Sequence, residues 1–143
     1  MDEKKAALTK AWPTKARNDL DTARLLSDSP DPILDTAIYH CQQAAEKAVK
    51  GFLFFSGAKV QKIHDVEELV NAAKELDASF AAWLEDAATL TPLATAYRYP
   101  SEGDPLDPPP AEFAEALSAA SRIFAHVLSR IPAEVHPHPP AKN

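Results

Sequence analysis

Apolar residues recur every three or four positions over most of the chain, which is the spacing of a buried α-helical face. The clearest case is the segment 33–55, which contains no proline and a single glycine, Gly51. Small residues fill much of the middle of its apolar stripe, so another helix could approach closely there. The stripe consists of Ala37, Ile38, Cys41, Ala44, Ala45, Ala48, Val49, Phe52 and Leu53.

The same spacing predicts four further helices. Proline-rich breaks at residues 28–32 and 100–110 separate some of them, because proline cannot continue a helix. Asp65, followed three residues later by Glu68, is typical of a helix N-cap with its capping partner. The first of these four helices ends near Ser27, and the second begins after Asp65. The third spans about residues 80–97 with a kink at Pro92, and the fourth spans about residues 111–131.

Five such segments with short connections predict an all-α fold, an antiparallel (up-and-down) bundle of four to five helices. The composition agrees, because the 143 residues include only three glycines and no segment alternates polar and apolar residues as a half-buried strand would. The length fits one domain with one core. We therefore expect a single helical domain over residues 1–131 and a flexible, proline-rich tail over residues 132–143.

The charge of the chain is unevenly distributed. Its net value of −6 opposes a protein whose whole surface binds nucleic acid. Residues 40–64, however, hold four lysines against the single acid Glu46, a local charge of +3, whereas residues 65–115 hold twelve acids against two bases, a local charge of −10. A bundle that separates these regions would carry one basic face on an acidic body. Two solvated helix faces of opposite sign are the alternative.

Cys41 is the only cysteine, so no disulfide forms within the chain. No stretch approaches the ~18 apolar residues of a membrane span, and no basic start precedes an apolar run as in a secretion signal. We therefore expect no membrane association and a cytoplasmic location. No cofactor or metal is expected, because the sequence has no glycine-rich phosphate loop, no carboxylate pair and no cysteine–histidine metal spacing.

Three blocks of sequence together resemble a known family. They read HCQQAAEKAVK at residues 40–50, KIHDV at residues 62–66 and RYP at residues 98–100. Their order and spacing are similar to those of the HEPN domain (higher eukaryotes and prokaryotes nucleotide-binding), and the resemblance spans roughly Trp12 to Leu128.

This resemblance implies an up-and-down helical bundle that frequently forms a homodimer. It also implies a functional setting, since family members often act beside a small nucleotidyltransferase and many belong to prokaryotic toxin–antitoxin pairs. A large subset are ribonucleases. None of these properties follows from composition or periodicity.

The ribonuclease members use an arginine followed by a histidine after a spacer of roughly four to six residues, because a guanidinium can hold the phosphate while an imidazole moves the proton. The weak candidates here are Arg122 and His126, which have only three residues between them and an apolar residue, Ile123, directly after the arginine. A histidine at a helix end or core edge is the alternative reading of His126. We therefore assign no catalytic residue.

A second group of polar residues is a candidate for ligand binding. Side chains on the helix at 33–55 share a face at spacings of three and seven residues, and two more could converge on that face. A guanidinium with ammonium groups would suit a phosphate or a nucleotide. We call the group the cationic strip; it consists of His40, Gln43, Lys47, Lys50, His64 and Arg98. The alternative is that these side chains satisfy buried backbone groups, brace a cap or pair with a carboxylate.

Three hypotheses follow. The first is a non-catalytic HEPN protein that is a dimeric nucleotide-binding or interaction partner of a small nucleotidyltransferase, in a toxin–antitoxin pair. The second is a HEPN ribonuclease with a divergent site, such as Arg122 with His126 or Arg98 with His64. The third is a dimeric scaffold whose small-residue stripe and exposed bulky residues form the interface between two copies.

Overall fold

A computed structural model describes residues 1–59 and 62–137 of the chain. It contains five α-helices and three short 3₁₀ helices, and the described residues contain no strand, which confirms the predicted all-α bundle. The α-helices are α1 (Glu3–Ser27), α2 (Leu34–Phe55), α3 (Val66–Leu76), α4 (Leu84–Leu90) and α5 (Pro110–Ser129). The 3₁₀ helices span Ala78–Trp83, Thr91–Ala94 and Ala133–Val135.

Helix α2 is the central element, and its most extensive contacts are with α1 and α5. Every small residue of its apolar stripe is fully buried within the chain. The side of α2 that faces α1 is so close to it that Gly51 has no room for a side chain beside Trp12. The small-residue stripe is therefore core of a single chain, and the expectation that it forms an interface between two copies is wrong.

Both ends of the connection after α2 are capped, and the cap at Asp65 is the one that the sequence predicts. Gly57 adopts the left-handed conformation (φ 83°). The amide of Gly57 donates to the carbonyl of Phe54, and the amide of Ala58 donates to the carbonyl of Leu53, which together form a Schellman cap. At the far end, the Asp65 carboxylate accepts a hydrogen bond from the amide of Glu68 and starts α3.

The single helix predicted over residues 80–97 is instead three pieces. A 3₁₀ turn over Ala78–Trp83 precedes the short α4, and a second 3₁₀ turn over Thr91–Ala94 follows it. Pro92 accounts for the second break, because proline has no N–H to donate and its ring would clash with the preceding turn. The chain then reverses through Tyr97, which has the left-handed φ of 65° and is the only non-glycine residue with a positive φ in the part of the chain described.

Packing continues past the end of α5. The 3₁₀ turn Ala133–Val135 places Val135 in the core, with 1% of its surface exposed. The tail predicted to be flexible therefore includes a packed turn at its start, while residues 138–143 lie outside the described part of the chain.

Candidate functional site

Asp19 of α1 pairs with two members of the cationic strip. Its carboxylate lies 2.8 Å from Nδ1 of His40 and 2.7 Å from Nζ of Lys47. Only 7% of Asp19 is exposed, and a carboxylate at that depth needs charged or hydrogen-bonding partners to offset the loss of water. His40 and Lys47 therefore join α1 to α2 across this carboxylate.

Glu46 of α2 pairs with two further members of the strip. Its Oε2 atom lies 3.1 Å from Nζ of Lys50 and 3.1 Å from Nδ1 of His64. Glu46 and Lys50 are both buried, so this ion pair is inside the protein, whereas the side chain of His64 remains mostly exposed. The Lys50 ammonium group is therefore engaged by the Glu46 carboxylate, although Lys50 also lines a hollow at the end of α2.

Two glutamines complete the network around Glu46. Nε2 of Gln42 donates to Oε1 of Glu46 at 3.3 Å and to the carbonyl oxygen of His64 at 3.1 Å. Nε2 of Gln43 donates to Oε1 of Gln42 at 2.8 Å. Since His64 follows the connection from α2 yet lies beside the middle of that helix, the network holds the connection against α2.

The cationic strip is thus not one open surface. Four of its six members pair with the carboxylate of Asp19 or Glu46, and Gln43 donates to Gln42. Sequence reasoning missed Asp19, although a signal was available. Asp19 falls among Ala16, Leu20 and Ala23 on the buried face of α1, where an acid needs a partner.

Arg98 is the exception within the strip. Its guanidinium carbon lies 4.2 Å from the centre of the Tyr39 ring and 5.6 Å from that of Tyr99. Nη1 donates to the carbonyl of Ala94 at 3.2 Å, and Arg98 makes no ion pair with any residue that the structure describes. The arginine is exposed, so its charge is available at the surface while two aromatic rings fix its position.

Two hollows flank Tyr97 beside this arginine. One, of about 210 Å³, is lined by Asp35, Thr36, Tyr39, Tyr97 and Arg98. The other, of about 300 Å³, is lined by Thr95, Ala96, Tyr97, Tyr99, Ser101, Asp104 and Pro105. All three tyrosines of the chain line one hollow or the other. The Tyr97 hydroxyl donates to Oε2 of Glu112 at 2.7 Å, and this hydrogen bond raises the pKa of the Tyr97 phenol, so the ring stays neutral.

The weak ribonuclease candidates are each bound elsewhere. Nε and Nη2 of Arg122 donate to the two carboxylate oxygens of Asp86, both at 2.8 Å, and this pairing raises the pKa of the arginine. Nε2 of His126 lies 2.9 Å from Oγ of Ser79, and the imidazole packs edge-on against Phe80. Burial lowers the pKa of His126, which favours the neutral ring.

Two other features bear on the chemistry available. Burial raises the pKa of the Cys41 thiol to about 12, so the thiolate that a nucleophile or ligand requires is not formed at neutral pH. Within residues 1–59 and 62–137, histidines, cysteines and acids do not gather in a group of three that could hold a metal ion. Nor does any described helix have the length and apolar character to cross a membrane.

These features describe a five-helix bundle whose central helix carries buried polar networks, with the exposed guanidinium of Arg98 beside Tyr39 and Tyr99. The sequence profile of the HEPN domain family matches residues 9–131, and this chain belongs to that family.

The fold is also similar to the crystal structure of ST0689, described as an archaeal HEPN homologue, with a TM-score of 0.70 and 30% sequence identity over 87% of this chain and 98% of that chain. No curated protein matches the chain. The family suggested by the three sequence blocks is therefore confirmed.

Proposed function

We propose that this chain is a non-catalytic HEPN protein that binds a nucleotide at Arg98 and acts as the dimeric partner of a small nucleotidyltransferase, in a toxin–antitoxin pair. The observation that carries the nucleotide part is the position of Arg98. It is an exposed guanidinium without a carboxylate partner among the described residues, held between Tyr39 and Tyr99 at the edge of a hollow.

The chemistry of this group suits a nucleotide. A guanidinium is planar and donates two parallel hydrogen bonds to a phosphate. An exposed tyrosine ring such as Tyr99 can stack on a base, an interaction that depends little on which base it is. Asp35 and Thr36 in the neighbouring hollow supply hydrogen-bonding groups for a sugar or a base edge.

Titration with AMP, ADP and ATP tests the proposal directly. We expect saturable binding by the wild-type chain and loss of at least about tenfold in affinity for Arg98→Ala, since a charge-assisted pair is worth roughly 1.5–3 kcal/mol. Arg122→Ala is the matched control, because it removes an exposed arginine already paired with Asp86. Wild-type chain that binds none of the three nucleotides at millimolar concentration would remove the proposed site.

The partnership is tested separately. Co-expression with the product of the adjacent gene, followed by purification through a tag on this chain, should recover a stoichiometric complex with a small nucleotidyltransferase. If the adjacent gene encodes no such enzyme, or if the two proteins separate on the column, this part of the proposal fails while nucleotide binding is unaffected.

The ribonuclease hypothesis has less support from the geometry. Asp86 occupies both arms of the Arg122 guanidinium, and Ser79 contacts the Nε2 atom of His126. Both side chains are therefore engaged by other residues of the chain at these atoms. RNA cleavage in metal-free buffer that disappears in Arg122→Ala would reverse this conclusion.

A further inference from the structure

A shallow groove lies between the start of α1 and the end of α2. It consists of two adjoining hollows of about 400 and 490 Å³ that share Leu8, Phe54 and Ala58. Trp12 extends this apolar floor, and Leu8 is half exposed in the isolated chain. The groove is open and wide, which fits a segment of another macromolecule better than an enclosed small ligand.

Lysines surround the apolar floor. Lys4 and Lys5 line one hollow, and Lys59 and Lys62 line the other. None of these four makes an ion pair with a residue that the structure describes. One acid, Asp2, also lines the groove, and its carboxylate already accepts the amide of Lys5 as the cap of α1. We call this surface the lysine-rimmed groove.

A segment of the same chain has the complementary character. Residues 100–109, here named the acidic loop, expose Leu106 to 66% of its surface. Glu102, Asp104 and Asp107 lie close to Leu106 in sequence. The loop is stiffened by prolines and anchored at its end by the buried Pro108, so docking it would cost little conformational entropy.

The acidic loop cannot occupy the groove of its own chain. The groove lies at the C-terminal end of α2, whereas the loop follows Tyr97, which shares a hollow with Asp35 and Thr36 at the N-terminal end. Because α2 has 22 residues, its two ends are about 33 Å apart. Contact between the loop and the groove therefore requires two chains.

We propose that the lysine-rimmed groove of one chain receives the acidic loop of a second copy, with Leu106 on the apolar floor and the three acids facing the lysines. In a two-fold dimer with the chains antiparallel, this contact forms twice and leaves neither groove empty. The inference rests on the dimer in the proposed function and names its surface. It also puts the basic face in contact with the acidic body that the sequence predicts.

Disulfide trapping tests the contact between chains. Leu8→Cys protein is mixed with Leu106→Cys protein and oxidised, and the native Cys41 does not interfere because its thiol is buried. We expect cross-linked dimer at least about tenfold in excess of that from Leu25→Cys mixed with Leu106→Cys, since Leu25 is exposed but lies outside the groove. Equal yields in the two mixtures would overturn the proposed contact.

Sedimentation equilibrium provides the second readout. Leu8→Glu and Leu106→Asp should each weaken self-association by about tenfold or more, and added salt should weaken it as well. Leu25→Glu should leave it unchanged. A dimer insensitive to both Leu8→Glu and Leu106→Asp would place the interface elsewhere, although the protein would still be a dimer. A monomer at every concentration would remove both, while nucleotide binding at Arg98 is read independently by titration.

Discussion

Gly51 of α2 lies against Trp12 of α1 so closely that a Cβ atom on Gly51 would be 2.8 Å from the Cβ atom of Trp12. Real Cβ atoms do not approach other atoms to this distance without movement. The contact joins the two most extensively packed helices at the level of the buried Pro13. The only glycine inside α2 is therefore a packing requirement and not a flexible point.

Gly51→Ala should destabilise the protein despite the higher helix propensity of alanine. Overpacking costs roughly 1–3 kcal/mol, and the propensity gain of about 1 kcal/mol offsets only part of that. Gly51→Val should cost more, since the added atoms meet the same Trp12 and Pro13 side chains. Urea unfolding of the three proteins measures the series. A more stable alanine variant would mean that α1 moves aside without cost.

Glu46→Gln should be strongly destabilising, because it leaves the buried ammonium of Lys50 without its counter-charge. The expected loss is about 3 kcal/mol in the free energy of unfolding. The double variant Glu46→Met with Lys50→Met should recover most of that loss, because both charges are removed together. A single substitution that costs less than about 1 kcal/mol would show that Lys50 reaches water.

The free energy of unfolding should fall in two steps as the pH is lowered, the first due to His126 and the second due to Asp77. The pKa of His126 is lowered from 6.5 by burial, so the stability that depends on its neutral form is present above pH 6.5 and is lost as the pH falls below that value. The pKa of Asp77 is lowered from 3.8 to about 2, chiefly by the hydrogen bond from the Ser79 hydroxyl and with a contribution from Arg130. Its contribution is present above pH 3.8 and is lost between pH 3.8 and about 2.

Urea midpoints measured from pH 8 to about pH 2 should show these losses. His126→Gln should flatten the first step and leave the second in place. Asp77→Asn should do the reverse. A first step that persists unchanged in His126→Gln would assign it to another histidine.

Cys41 should behave as an inert core thiol. Burial raises its pKa from 9.0 to about 12, so its stabilising effect is present below pH 9 and is lost as the pH rises toward 12. At pH 8 we expect a thiol reagent to react at least about 100-fold more slowly with folded protein than with protein in urea. Comparable rates would show that the core around α2 opens readily.

The helices were predictable from the sequence because their causes are local. Apolar spacing, the Asp65 cap and the proline breaks located α1, α2, α3 and α5 to within a few residues. The division of the segment 80–97 into three pieces was not predicted. Because its apolar spacing continues past Pro92, the sequence predicted one helix with a kink at that residue. The recognition of the family depended on three spaced blocks, of which the first lies within α2 and the other two lie in or beside connections.

The candidate site was less predictable because its contacts join distant parts of the chain. Asp19 meets His40 across 21 residues of sequence, and Tyr39 meets Arg98 across 59. Nothing in the spacing of the cationic strip indicates which of its charges a carboxylate from another helix will neutralise. Only the folded geometry separates Arg98 from the members of the strip that Asp19 and Glu46 engage.

The position of His64 beside α2 has a further consequence for how the protein tolerates a cut in its backbone. The Gln42 and Glu46 side chains hold His64 beside the middle of α2. The parts of the chain before and after the connection should therefore stay together when the connection is cut. Limited tryptic nicking at the exposed Lys59 or Lys62 should yield two fragments that elute together and separate only in denaturant. Expressed from separate genes, such fragments should reassemble into one bundle.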